Sequence, residues 1–371
     1  MRIAFVLPGL GAGGAERVVS RLADHWAERG HDVHILLLAG PDHRPYYPVV
    51  PGVRLHALDL LRPSRGPLEA VAANLRRLHR LRRALADVAP DAVLAFLPET
   101  GALATLATLG TGVPVIVSER ASPLDEPLPA VWRALRRIAY GTAAAVVFQT
   151  ERACAAFPAS VQVRGCVVPN PVDLPAEPTA VPDATEIVAA GRLVPQKGFD
   201  LLIGAFATVA HRHSDWRLTI WGEGPERDRL TALAAKRGLG GRVRLPGTSG
   251  TPGGWLPGGS IFVLPSRFEG FPNALCEAMG AGYAAVAADC RFGPREIVRD
   301  GTDGLLVPPE DERALAEALA SLMGSVERRR SLGAAARQTV RRYDLPSVAR
   351  SWEALVERVA LRGAVPAGAR P

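Results

Sequence analysis

The chain has 371 residues, 48% hydrophobic and 22% charged, with 44 Lys and Arg against 37 Asp and Glu. That length allows two domains with cores of their own, and the mix excludes a disordered or collagen-like chain. The net charge of +7 points to an anionic partner: nucleic acid, an anionic membrane face or a phosphorylated substrate.

The opening "MRIAFVLPGLGAGG" is cut short by Pro8 and its glycines, so it reads as a buried strand running into a loop rather than a signal peptide. "AERVVSRLADHWAERG" follows as a helix closed by Gly30. "DVHILLL", "DAVLAF", "VPVIVS" and "AAVVFQ" are further apolar runs of the kind found in buried parallel strands. Among them, "LEAVAANLRRLHRLRRALADV" (68–88) is a basic helix. "TGALATLATLGTGVPVIVS" (100–118) approaches membrane-spanning length, but Gly110, Gly112 and Pro114 divide it into a short helix and a strand. The proline-rich stretch "PNPVDLPAEPTAVPDAT" (169–185) has almost no periodicity and reads as a linker.

Beyond it the alternation resumes. "EIVAAGR", "WRLTIWG", "RVRLPG", "SIFVLPS", "AAVAAD" and "GLLVP" are strands, "FDLLIGAFATVAHRH" is a helix, and "LPSVARSWEALVERVALRG" is a final helix. The expectation is α/β: two doubly wound, Rossmann-like domains at 1–172 and 173–344, then a C-terminal helix at 345–371. Cys154, Cys166, Cys276 and Cys290 show no C-x-x-C pairing and no histidine at ligand spacing. That predicts no metal site and a reduced, cytoplasmic chain.

In doubly wound sheets ligands bind outside the carboxyl ends of the strands, so loops that directly follow a strand carry the chemistry. The first such loop, "PGLGAGGAER", matches G-x-G-x-x-G through Gly9, Gly11 and Gly14. A dinucleotide site also wants an acid near the end of the second strand, where "LLLAGPDHR" offers Ala39 and Gly40, with Asp42 late. Two readings stay open here. One is an NAD(P)-dependent oxidoreductase; the other is a looser loop in which Gly13 and Gly14 let backbone approach an anion or sugar at a helix N-terminus. A third class, nucleic-acid binding, lacks a recognition helix or aromatic-basic strand motif.

In the second half, "AAGRLVPQKGFD" puts Arg192 after a strand and Lys197 ahead of a helix, a pair of cations suited to a diphosphate. "WGEGPERDRL" supplies Gly222 in a Gly-x-Gly turn. "SRFEGFPNALCEAMGAG" (266–282) sets Glu269 before a helix and Glu277 one turn inside it, around Gly270, Phe271, Pro272 and Asn273. Helix grammar alone explains the two acids and leaves Glu277 solvated. Three strand ends carrying glycine, cation and carboxylate point instead to a nucleotide-sugar clamp. Free helix-end amides would hold phosphate oxygens, Glu277 would accept from ribose hydroxyls and Glu269 from sugar hydroxyls.

On these residues the chain resembles the retaining GT-B glycosyltransferases of family 4, with Glu269 and Glu277 at the two positions of the E-x7-E motif. "GRLVPQKG" is similar to that family's donor-phosphate loop, "LPGLGAGGAER" to its N-terminal glycine loop and "VPNPVD" to its interdomain junction. The resemblance implies two domains facing a cleft and a last helix crossing back to the first. It implies Glu269, Arg192 and Lys197 as catalytic residues, and Glu277, Gly222, Gly270, Phe271, Pro272 and Asn273 as donor-binding. Gly13, Gly14, Glu119 and Arg120 fall on the acceptor side. It also implies retention and a metal-free, cofactor-free reaction, and the chain has no D-x-D.

Where many members carry a histidine, this chain reads "SERASP" (118–123), as in a branch associated with N-acetylhexosamine transfer, which implies a UDP-linked donor. Tyr283 and the glycine-rich "PGTSGTPGGWLPGGS" (246–260) depart from the family pattern. The expected acceptor is a lipid-linked saccharide or a small molecule, with no nucleic acid partner. On the basic helix, Val71, Leu75, Leu78, Leu81 and Leu85 form one stripe beside Arg76, Arg77, Arg80, Arg82 and Arg83. "WRALRRIAYG" adds Arg133, Arg136 and Arg137. The expectation is peripheral docking on the anionic inner face of the plasma membrane, against the alternative that the stripe packs on the sheet.

Overall fold

The computed structural model describes residues 1–11, 13–61, 66–120 and 129–363. They form two compact units, Met1–Pro171 with Leu345–Pro371, and Val172–Asp344.

In the first unit, β1 (Arg2–Leu7), β2 (Asp32–Leu37), β3 (Val53–Ala57), β4 (Ala92–Phe96), β5 (Val115–Ser118), β6 (Ala145–Phe148) and β7 (Gly165–Val167) make a parallel sheet, ordered 3-2-1-4-5-6-7. Its helices are α1 (Gly14–Glu28), α2 (Pro67–Val88), α3 (Pro98–Ala107), α4 (Ala130–Thr142), and the short α5 (Glu151–Ala155) and α6 (Ala159–Gln162). In the second unit, β8 (Glu186–Ala190), β9 (Arg217–Trp221), β10 (Val243–Gly247), β11 (Ile261–Leu264), β12 (Ala284–Ala288) and β13 (Leu305–Val307) are ordered 10-9-8-11-12-13. They alternate with α7 (Phe199–Ala210), α8 (Arg227–Lys236), α9 (Asn273–Ala281), α10 (Pro294–Ile297), α11 (Glu312–Met323) and α12 (Val326–Val340). The last helix, α13 (Leu345–Gly363), belongs to the first unit.

Alternate residues of the strands feed opposite layers. In the first unit Phe5 and Phe96 pack with Trp26 of α1 and with Trp352, Leu355 and Val359 of α13. Phe96 and Trp352 stack with ring centroids 5.8 Å apart. Trp352 is fully buried, so α13 is part of this core although it comes last in the chain. In the second unit α7 and α11 cover one face through Phe206 and Leu319, and α9 and α12 the other through Met279 and Val340. In both sheets the order reverses direction beside the first strand, β1 or β8, and such a reversal opens a crevice at the carboxyl end.

Two sequence expectations are corrected, and two strands outside the sequence reading are added. Strands β3 and β7 lie at the edges of their sheet with mixed burial, so neither shows the continuous apolar run of a central strand. The proline-rich stretch is no loose linker. Val172 N–H donates to Tyr343 O at 2.8 Å, Thr179 and Ala180 N–H to Ala281 O at 3.0 Å, and Val181 N–H to Gly259 O at 2.9 Å, strapping it to the second unit. The stripe of α2 is split. Leu81 and Leu85 are buried while Val71 and Leu75 are 59% and 62% exposed, and Arg77, Arg80 and Arg82 are tied to the carbonyls of Leu60, Leu58 and Ala107. Among the described residues no helix is long and apolar enough to cross a membrane.

Candidate active site

The reversal in the second sheet falls between β8 and β11, and the loops after these strands carry the predicted donor residues. After β8 the backbone passes Arg192, makes a single 3-10 turn at Pro195–Lys197 and enters α7 through Gly198 at φ +65. A side chain at Gly198 would run into the Pro265 carbonyl of the neighbouring loop, so only glycine allows the approach. Gly222, at φ +136 after β9, meets the Gly191 carbonyl in the same way. The loops are also stitched together by bonds. Arg267 N–H donates to Gln196 O at 2.8 Å, Gln196 Nε2 to Phe268 O at 3.0 Å, and the Arg267 guanidinium grips both oxygens of Asp200 at 3.0 and 2.9 Å.

This close approach brings Lys197 Nζ to 2.6 Å from Glu269 Oε1. Ser266 Oγ donates to the same oxygen at 2.7 Å. Both Ser266 and Glu269 are buried, so the carboxylate is held in place before any ligand arrives. Arg192 is exposed, and its guanidinium bonds no described residue. Glu277, on α9, is 4% exposed, which overturns the solvated reading. Burial, with Glu269 nearby, pushes the Cys290 thiol up to about 12, so this sulfur is a neutral wall of the site.

The start of α9 offers fewer free amides than expected. Asn273 N–H turns to Phe271 O at 3.0 Å, and Leu275 and Cys276 N–H share Pro272 O at 3.0 and 3.3 Å. Gly270 and Pro272 instead pack beside Gly293, while Phe271 meets Tyr343 edge-on at 5.4 Å.

The two departures from the family pattern prove to be one feature. Tyr283 OH donates to Leu256 O at 2.5 Å and accepts Gly259 N–H at 3.1 Å, pinning the glycine-rich loop. A side chain at Gly259 would collide with the tyrosine ring.

In the first unit Gly13 caps α1, Gly14 begins it and Glu16 folds back over Gly13. Leu10 N–H donates to His43 Nε2 at 2.7 Å, with the His43 ring against Gly9. His43 therefore shapes the loop, a role the sequence signals only by its place just after β2. The two residues expected on the acceptor side, Glu119 and Arg120 after β5, are enclosed. Tyr140 OH donates to Glu119 Oε2 at 2.6 Å and Arg136 approaches the same oxygen at 3.5 Å; burial first, then Glu119, raises the tyrosine pKa.

Arg120 keeps some accessible surface, but its head is walled in over Phe96 at 4.7 Å and Trp352 at 5.8 Å. It donates to Ser118 Oγ at 2.7 Å and to Asn170, which also takes a bond from Gln149 at 2.9 Å. Burial pushes Arg120 down to about 9, which leaves it charged at neutral pH. The rest of "SERASP", residues 121–123, lies outside the described residues.

A family model for glycosyl transferases group 1 matches residues 174–339, and one for a glycosyl transferase 4-like domain matches 13–171. The chain belongs to the group 1 glycosyltransferases. It has their GT-B fold. An exopolysaccharide phosphotransferase of Streptomyces coelicolor is 32% identical across 98% of the chain, which spans 41% of that relative's length. An N-acetylgalactosamine-N,N'-diacetylbacillosaminyl-diphospho-undecaprenol 4-alpha-N-acetylgalactosaminyltransferase of Campylobacter jejuni is 27% identical over 94% of the chain and 97% of its own. The crystal structure of Anabaena HepE with UDP superposes with a TM-score of 0.78 at 19% identity, covering 96% of this chain and 100% of that one. The oxidoreductase alternative is set aside, since both halves of the chain match glycosyltransferase models and β2 ends without the required acid. A glycosyltransferase of this group takes a nucleotide-sugar donor and a saccharide or related acceptor.

Proposed function

We propose that the glycosyltransferase moves an N-acetylhexosamine from a UDP-linked donor to a hydroxyl of a lipid-linked saccharide, with retention and without a metal ion. The observation that carries this reading is the Lys197–Glu269 pair, held by Ser266 where the second sheet reverses. A donor diphosphate would draw Lys197 from Glu269 and recruit Arg192. The freed carboxylate would then accept hydroxyls of the transferred sugar, and Glu277 those of the ribose.

In the transfer the anomeric carbon–phosphate oxygen bond breaks and a bond to the acceptor oxygen forms on the same face. The acceptor proton passes to the departing phosphate oxygen, and Lys197 and Arg192 stabilise the charge left on the diphosphate. The N-acetylhexosamine and UDP rest on the "SERASP" resemblance; the Campylobacter relative's name, an N-acetylgalactosaminyltransferase on a diphospho-undecaprenol saccharide, supports both the sugar class and the lipid.

Peripheral membrane docking belongs to the same reading. Val71 and Leu75 stand exposed on the N-terminal half of α2, with Arg76 and Arg83 unpaired among the described residues. The test is proton NMR of the fresh product. An equatorial anomeric proton with a small coupling to H2, matching the donor's α configuration and formed in EDTA, is expected; a β product or a strict demand for Mg²⁺ would overturn the mechanism.

A further inference from the structure

We propose that the cavity between α4 and the α5–α6 segment is a binding site for one long apolar chain carrying a phosphate. This rests on the lipid-linked acceptor reading and gives that acceptor a seat within the first unit.

The cavity holds about 870 Å³, and among the described residues no acidic side chain lines it. That volume is in the range of about 300–1,000 Å³ usual for small-molecule sites. Its walls are largely apolar, from Ile138 on α4 and from Phe157, Pro158 and Val161 opposite, while Arg133 and Arg137 supply cations. A third arginine is already occupied: Arg136 lies 3.5 Å from Glu119 and over the Phe157 ring at 5.2 Å. The guanidinium groups of Arg133 and Arg137 bond no described residue.

The surface of α4 continues the pattern. Val131, Ala134 and Ile138 share a helical face, with Val131 67% and Ile138 55% exposed, and Arg133 and Arg137 flank that face. Large apolar side chains left in water beside cations unpaired among the described residues match an amphiphile better than a sugar, for whose several hydroxyls these walls offer Ser160 and the already bonded Tyr140 hydroxyl. Phosphate oxygens would take charge-assisted bonds from Arg133 and Arg137, and the chain would lie on Ile138, Phe157 and Val161. Arg136 and Tyr140 line this cavity and also hold Glu119, so the seat backs onto the loop after β5 that is expected on the acceptor side.

Calorimetry on the full chain with farnesyl diphosphate, inorganic pyrophosphate and farnesol separates the contributions. Farnesyl diphosphate should bind at least about 10-fold more tightly than pyrophosphate. The double variant Arg133→Gln, Arg137→Gln should weaken it by about 10-fold or more, the scale of lost charge-assisted bonds. Ala134→Trp, at an exposed lining position, should block the chain and leave pyrophosphate binding unchanged, with thermal melting as the check on folding. Equal affinity for the two diphosphates, or indifference to Ala134→Trp, overturns the site. If farnesyl diphosphate fails to bind while sugar reaches a vesicle-borne lipid acceptor, the cavity assignment falls and the acceptor reading stands. If it binds as described but only water-soluble acceptors are used, the acceptor reading falls and the cavity remains a lipid-phosphate site.

Discussion

Lys197 and Glu269 already satisfy each other at 2.6 Å, so on the proposed reading binding a donor would exchange one charged partner for another at little net cost in burial. Glu277 is buried on α9, and in that reading it meets the ribose directly. Glu277→Ala is expected to lose roughly 1.5–3 kcal/mol, a fall of about 10- to 100-fold in UDP affinity. Calorimetry on the folded variant showing unchanged affinity would remove it from the ribose site.

Away from the site, His34 Nδ1 lies 2.9 Å from His56 Nε2, and His34 Nε2 lies 3.1 Å from Asp32, with Arg54 and Arg2 on the same carboxylate. Burial lowers both imidazoles from their ordinary 6.5, and for His34 Asp32 opposes the shift. The unfolded chain therefore binds more protons below that value, so stability is full above pH 6.5 and falls as pH drops through it. Melting temperature measured from pH 7.5 to 5.5 should fall, and His56→Gln should flatten the slope; an unchanged slope contradicts the pair's role. The sequence showed Lys197 and Glu269 as separate candidates but not their pairing. The two are 72 residues apart, and only the β8–β11 adjacency joins them. Ser266 and His43 were missed for the same reason, since neither type carries a local signature of holding another residue.

Among the elements, α2 shows what periodicity can and cannot say. The helical spacing of its leucines was visible, yet spacing does not tell which turns meet the sheet: Leu81 and Leu85 are core, while Val71 and Leu75 face water. The three arginines bound to carbonyls are held in place, which leaves Arg76 and Arg83 as the stripe's cations unpaired among the described residues. Each cation near an anionic surface adds about 1 kcal/mol, so apolar contact must supply part of any docking. Flotation with anionic vesicles should therefore drop for Val71→Ser, Leu75→Ser as well as for Arg76→Gln, Arg83→Gln, and salt should weaken the wild type. Equal recovery with neutral vesicles would mean a soluble acceptor. Central strands were readable because both faces are buried and the apolar run is unbroken. Edge strands β3 and β7 were not, because their outer rims are only half covered.

At the scale of the whole molecule, two sheets with the same reversal place their functional loops at equivalent points, after β1 in one unit and after β8 in the other. That much followed from the alternation of strand and helix along the chain. The return of α13 was expected only through the family resemblance, because nothing in an amphipathic helix names the surface it covers; Trp352 against Phe96 does. The family assignment rests on both matched domains, while the proposed donor chemistry rests on residues of the second unit. The decisive measurement is release of UDP from a panel of UDP-sugars by the wild type and by Lys197→Ala, scored with a lipid-linked saccharide present. The wild type should release UDP from an N-acetylhexosamine donor, and Lys197→Ala should be slower by on the order of 10²–10³ in turnover, with a smaller change in donor affinity. Turnover unaffected by the substitution, or release from a GDP-sugar and from no UDP-sugar, would contradict it.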